Sequence, residues 1–146
     1  MSEALPIRYY DLINIEIADD GMAPEIERLS KANHFEFEGW EIDWSQVYPS
    51  WLVASIDDVV VGCVQVLPGI PLGRLEFLSV DMNLDREIRR EIARKMALAG
   101  MESLKAQGGQ GAAATVPYDR TGFHDLVEEL GGSDINEGWI MVMRSR

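Results

Sequence analysis

The sequence predicts an α/β (α+β) protein: a single mixed, mostly antiparallel sheet of six to seven strands with helices on both faces. Three observations carry the prediction. Apolar periods of two and of about 3.6 residues alternate along the chain. Three consecutive strand signals between Trp51 and Val80 imply an antiparallel meander, and the helix–strand–helix–strand order after it implies a mixed sheet. The length of 146 residues, 47% hydrophobic and 26% charged, suits one folded domain with a core.

Taken in order, Leu12 to Ile17 places apolar residues at 13, 15 and 17, the alternation of a half-buried strand. Asp19 or Asp20 is the expected cap of a helix with Pro24 in its first turn, where a missing amide hydrogen costs nothing. Ile26, Leu29 and Ala32 would form its buried stripe. Residues 33–49 mix two patterns, since Trp40 and Trp44 have helical spacing whereas Phe35 and Phe37 alternate. Trp51–Ile56 reads as a buried strand, Asp57-Asp58 as a tight turn and Val59–Leu67 as the hairpin partner. Pro68, Gly69 and Pro71 break the run before a strand over Arg74–Val80. Asp85 is the expected cap of a long helix to about Gln107, with Ile88, Ile92, Met96 and Ala99 as its buried row and Gly108-Gly109 as its stop. Ala112–Val116 reads as a short buried strand. Phe123, Leu126, Val127 and Leu130 share a helical face that ends at Gly131-Gly132, and Trp139–Met143 is a last strand with an edge open to homodimer pairing.

Charge narrows the functions available. The net charge of −12 repels phosphate backbones, which argues against nucleic acid as a partner. No apolar run reaches a membrane span, and the N-terminal MSEALPIRYY lacks the apolar centre of a secretion signal, so a cytoplasmic protein without membrane partners is expected. One cysteine, Cys63, and two histidines, His34 and His124, nearly exclude a Cys/His metal site, and no metal is expected. Cys63 reads as packing in a buried strand, and each histidine as a surface or capping residue. Against the acidic background, Arg86, Arg89, Arg90, Arg94 and Lys95 crowd into ten positions. They form either a solvated helix face paired with Glu87 and Glu91 or a site for a small anion.

Segment order, chain length and three strings resemble the GNAT superfamily of acyl-CoA-dependent N-acetyltransferases. The strings are Trp51 to Gly62 (WLVASIDDVVVG), Leu75 to Val80 (LEFLSV) and Val127 to Gly131 (VEELG). The resemblance runs from Ile13 to Arg144 and implies one GNAT-like domain over 1–146. It implies a splay between the strands ending near Val80 and Val116, where an acetyl-CoA cofactor would lie. Backbone at Leu78, Ser79, Val80 and Met82 would hold pantetheine and the acetyl carbonyl, and the loop from Asn83 into the helix would hold the diphosphate. That loop departs from the family's glycine-containing signature. It reads Asn83-Leu-Asp-Arg-Glu-Ile-Arg-Arg-Glu-Ile92 and has no glycine. Either cofactor affinity is reduced or lost, or Arg86, Arg89 and Arg90 bind phosphate through their side chains.

Catalytic candidates follow from the same likeness. Glu76 lies where some relatives carry a carboxylate base, with an outward strand residue as the plain alternative. Val127 replaces the family's usual tyrosine acid, and Tyr118 could donate a proton in its place or be an ordinary surface tyrosine. Glu38, Trp40 and Trp44 fall where relatives build the acceptor side and could hold a cationic amine, or could instead edge the core. Two readings result: an acetyl-CoA-dependent N-acetyltransferase acting on a small or exposed basic amine, whether small molecule or peptide, or an inactive GNAT-like domain with an interaction or structural role.

Overall fold

A computed structural model describes residues 9–34, 41–115 and 121–133 of the chain. Two units arise, 1–115 and 116–146, and each is described by itself. In the first, helix α1 (Tyr9–Leu12) leads into strand β1 (Asn14–Ile17), and a 3-10 turn at Asp20–Met22 leads into helix α2 (Ala23–Asn33). Further 3-10 turns at Trp44–Gln46 and Tyr48–Ser50 precede strands β2 (Trp51–Ile56), β3 (Val59–Leu67) and β4 (Leu72–Val80). Helix α3 (Arg86–Ala106) and strand β5 (Gly111–Ala113) complete it. The second unit contains helix α4 (Thr121–Glu129).

The sheet runs β1-β2-β3-β4-β5, with three antiparallel pairings and a parallel one between β4 and β5. It has five strands among the described residues, where the sequence predicts six to seven; the strand expected at Trp139–Met143, with its dimer edge, lies outside them. Asp57 and Asp58, both at positive φ, make the two-residue turn that joins β2 to β3.

Both sheet faces carry a helix, as predicted. Gly62 and Cys63 are neighbours on β3 and so point to opposite faces. Cys63 joins Ile26 and Leu29 of α2, Trp51, Val53, Ala18 and Trp44 in one core. Under Gly62 lies α3: a Cβ there would stand 2.7 Å from Met96 Cε and 2.9 Å from Ile92 Cγ2. Gly62 thus lets α3 settle directly on the sheet. The α3 row is Ile92, Ala93, Met96, Gly100 and Leu104, and Gly108 after it takes a φ of 92° that a side chain would oppose.

Several expectations are corrected. The alternation at 13, 15 and 17 breaks down because β1 is an edge strand: Ile13 is buried but Ile17 is 72% exposed. Asp19 and Asp20 do not cap α2. The Met22 N–H closes a turn on the Asp19 carbonyl, which leaves Met22 as the N-cap and Pro24 inside the first turn. Asp85 occupies the N-cap of α3 without a side-chain capping bond. The fifth strand spans Gly111–Ala113 where Ala112–Val116 is expected, and none of its three residues is buried.

Burial pushes the Cys63 thiol up to about 12, opposed weakly by hydrogen bonding to Ser30 and Ser79. The folded thiol therefore keeps its proton after the unfolded one, whose ordinary value is 9.0, has lost it. Stability from this group is complete below pH 9 and falls as pH rises from about 9 towards 12, by about 1.4 kcal/mol per unit. Urea unfolding of the native chain and of Cys63→Ala between pH 8 and 11 checks this: the native chain is expected to lose stability more steeply above pH 9.

Candidate functional site at the fork of the sheet

Strand β4 carries one residue more than β3 can pair. Gly62 faces Val80 and Cys63 faces Ser79, but Gln65 faces Glu76, so the extra residue falls between Glu76 and Ser79. This is a β-bulge, with Phe77 at a φ of 55°. A bulky residue held there costs on the order of 1 kcal/mol or more, a cost that persists only where surroundings over-determine it. Those surroundings are visible: the Ser79 hydroxyl donates to the Phe77 carbonyl (2.8 Å), and the Phe77 ring stacks on Trp51 (6.5 Å, 18°) and meets His34 edge-on (5.5 Å, 79°).

On its other side β4 pairs with β5, among the described residues, over Leu72–Gly111, Gly73–Ala112 and Arg74–Ala113. Among the described residues the ladder ends at Arg74, a fork at which β5 stops at Ala113 while β4 runs on to Val80. Glu76 sits at the root of this fork and is 9% exposed, which rules out the outward-facing alternative. Its Oε1 accepts from Arg74 Nη2 and, at 3.4 Å, from the Thr115 hydroxyl; Arg74 Nη2 also reaches Thr115 Oγ1 at 3.2 Å. The Arg74 side chain is 53% exposed, so solvent screens the pair and its main effect is to fix the carboxylate's direction. Neither Arg74 nor Thr115 was expected from sequence. Arg74 was findable, since residues two apart on a strand share a face.

The upper edge of β4 is already engaged. The Asp81 N–H donates to the Val61 carbonyl at 2.8 Å, and Ser79 faces Cys63, so the intervening Val80 turns its N–H and C=O away from β3 towards the fork. There Val80 N–H donates to Asn33 Oδ1 (3.4 Å) while Asn33 Nδ2 donates to the Val80 carbonyl (3.0 Å). His34 Nε2 stands 3.1 Å from the Leu78 carbonyl, which can only accept, so that nitrogen carries the proton. Both residues are buried, at 3% and 7%. Of the two expected roles for His34, surface or capping, the structure favours the second, since it is buried and stands at the C-cap of α2.

Around the start of α3, the Asp81 carboxylate accepts from Asn83 N–H (3.0 Å) and the Asp81 carbonyl from Leu84 N–H (3.2 Å). Arg86 and Arg90 are exposed, and Arg89 turns back so that its Nη1 lies 3.4 Å from Met82 Sδ. Met82 itself is 47% exposed, whereas Ser79 and Val80 are buried. Trp44 packs against Trp51 (6.5 Å) within the core, so it offers no open ring face to a cation. Glu38, Trp40 and Tyr118 lie outside the described residues. In the second unit His124 Nδ1 lies 3.7 Å from Glu128, one turn along α4. Asp125 brings a third oxygen or nitrogen ligand atom within 4.8 Å, on an exposed surface where such groups are common without an ion. No helix among the described residues is long and apolar enough to cross a membrane.

No protein-family model matches the chain, and no curated protein does. Solved structures do. It is similar to an aminoglycoside N-acetyltransferase, AAC(6')-Iy, in complex with CoA, at 15% identity and a TM-score of 0.70 over 92% of this chain and 95% of that one. It is similar to a ribosomal-protein-alanine N-acetyltransferase from Brucella melitensis, at 13% identity and 0.68 over 90% and 99%. An aminoglycoside acetyltransferase from an uncultured soil metagenomic sample, in complex with sisomicin, aligns at 18% identity and 0.63 over 95% and 99%. Likeness at this level to several acetyltransferases shows that the chain has their fold, the GNAT fold.

Proposed function

We propose that the chain is an N-acyltransferase of the acyl-CoA class acting on a basic amine, with Glu76 as the group that takes the amine's proton. The observation that carries this reading is the buried carboxylate at the root of the fork, aimed by Arg74 and Thr115 through Oε1 and leaving Oε2 to meet a proton donor. An amine attacks only when neutral, so a fixed acceptor beside it is what transfer requires. The net charge of −12 draws a cationic acceptor inward, and small-molecule and peptide amines both satisfy that chemistry.

Acetyl-CoA is the donor the fold implies, and the conformation described does not fit it. The Val80 and Leu78 edge groups that would pair with pantetheine are bonded to Asn33 and His34. The loop into α3 has no glycine, two of its amides are bonded to Asp81, and Asp81, Asp85 and Glu87 set negative charge where a diphosphate would lie. The same closure favours a second reading, a GNAT-fold domain with an interaction role.

Thermal melting with acetyl-CoA, paired with a thiol-release assay on a panel of polyamines and basic peptides, separates the two. A cofactor at a hundred times its Kd stabilises by about 2.7 kcal/mol, a rise of several degrees in Tm. Neither a shift nor thiol release at millimolar acetyl-CoA would overturn the transferase reading and leave the second.

A further inference from the structure

We infer that the carboxyl end of α2 is a latch on the β4 edge: the Asn33 carboxamide occupies the place of an incoming chain's amide, so a ligand pairs with that edge only when Asn33 and His34 release it. The inference rests on the acyltransferase reading above.

A side-chain carboxamide presents an N–H donor and a carbonyl acceptor on one side, as the N–H and C=O of a single strand residue share one edge. Asn33 uses both on one residue, giving Nδ2–H to the Val80 carbonyl at 3.0 Å and receiving Val80 N–H at 3.4 Å. That reciprocal exchange is what a neighbouring strand makes with an outward-turned residue. His34 takes the Leu78 carbonyl two residues upstream. Adjacent residues of one helix end therefore cover successive acceptors of the β4 edge.

The occupancy is selective. Asn33 Nδ2 also donates to the Leu29 carbonyl at 2.8 Å, so the amide is anchored to its own helix and reaches β4 as an extension of it. Of its two bonds to Val80, the one taking the N–H is the longer, at 3.4 Å against 3.0 Å, and is the weaker hold. A pantetheine arm, with two secondary amides, would offer the same donor and acceptor to the same groups, as any strand-like ligand does at a sheet edge. Since the Val80 N–H has one hydrogen to give, the two partners are mutually exclusive there. Asn33 thus competes with the ligand while it also ties α2 to the sheet, and affinity measures the competition apart from the tie.

The test replaces Asn33 by leucine, which keeps the size and removes the pairing, and by alanine as a smaller change. Amide exchange at Val80 is followed by NMR, and CoA is titrated by calorimetry. Expected are faster exchange at Val80 and CoA affinity raised about tenfold, the worth of one hydrogen bond relieved of its competitor. Equal CoA affinity in native and variant chains overturns the latch and leaves the transferase reading intact. No CoA binding by any of them overturns that reading and the latch together. Unchanged exchange at Val80 overturns the latch, and loss of the fold in both variants assigns Asn33 to structure alone and does the same.

Discussion

Glutamine at position 76 is expected to lower kcat/KM for acetyl transfer by about 100- to 10 000-fold, the usual range for a lost proton acceptor. The change is nearly isosteric. The amide oxygen can still accept from Arg74 and Thr115, so the side chain keeps its direction and loses only the capacity to take a proton. Half of Arg74 is already in solvent, so its charge is not stranded and the Tm is expected to move by only a few degrees. Arg74→Ala makes a graded control: it frees the carboxylate to wander without removing it, and a loss of about tenfold is expected, the scale of one misaimed group. Thiol-release kinetics with one acceptor, run on native, Glu76→Gln and Arg74→Ala chains, check the series. Full activity in Glu76→Gln would pass the proton's acceptance to water or another group.

Alanine in place of Trp51 is expected to cost about 3–5 kcal/mol of stability, a large fraction of what a domain this size has. The ring is 2% exposed and lies between Trp44 and Phe77, so its removal opens the α2 face where β2, β3 and β4 meet. Its indole N–H, however, is buried without a partner among the described residues, a burden of about 1–3 kcal/mol that any apolar ring avoids. Trp51→Phe should therefore cost less than half as much as Trp51→Ala. Urea unfolding followed by far-ultraviolet circular dichroism gives both numbers. Equal losses would refute the assignment of this stability to ring packing.

How much of this was legible in the sequence depends on the range of the interaction. The hairpin at Asp57-Asp58 and the stop at Gly108 are local patterns and were readable, and of the expected α3 row Ile92 and Met96 are buried whereas Ile88 and Ala99 are only partly so. Glu76 was reachable through a family likeness, but its burial was not, because alternation with Leu75 and Phe77 suggested an outward residue and the bulge that turns it inward carries no glycine to announce it. Asn33 was passed over and His34 was read only as a surface or capping residue, since they meet Val80 and Leu78 across 47 and 44 residues of chain and no local pattern marks such a contact. Trp44 looked like a binding ring because aromatics beside acids suit a cation, and packing claimed it instead.

The extra residue in β4 also governs what this stretch can tolerate in evolution. Upstream of it, Leu75 packs against Gly100 of α3 while Glu76 faces the opposite layer with Gln65. Deleting a single codon at Phe77 or Leu78 would restore an even count and swap those two assignments, driving a carboxylate into the α3 core and an apolar side chain into the fork. Point substitutions here change one contact each. A one-residue indel would invert the whole lower half of the strand, so length, more than composition, is the property selection has to guard between Arg74 and Val80.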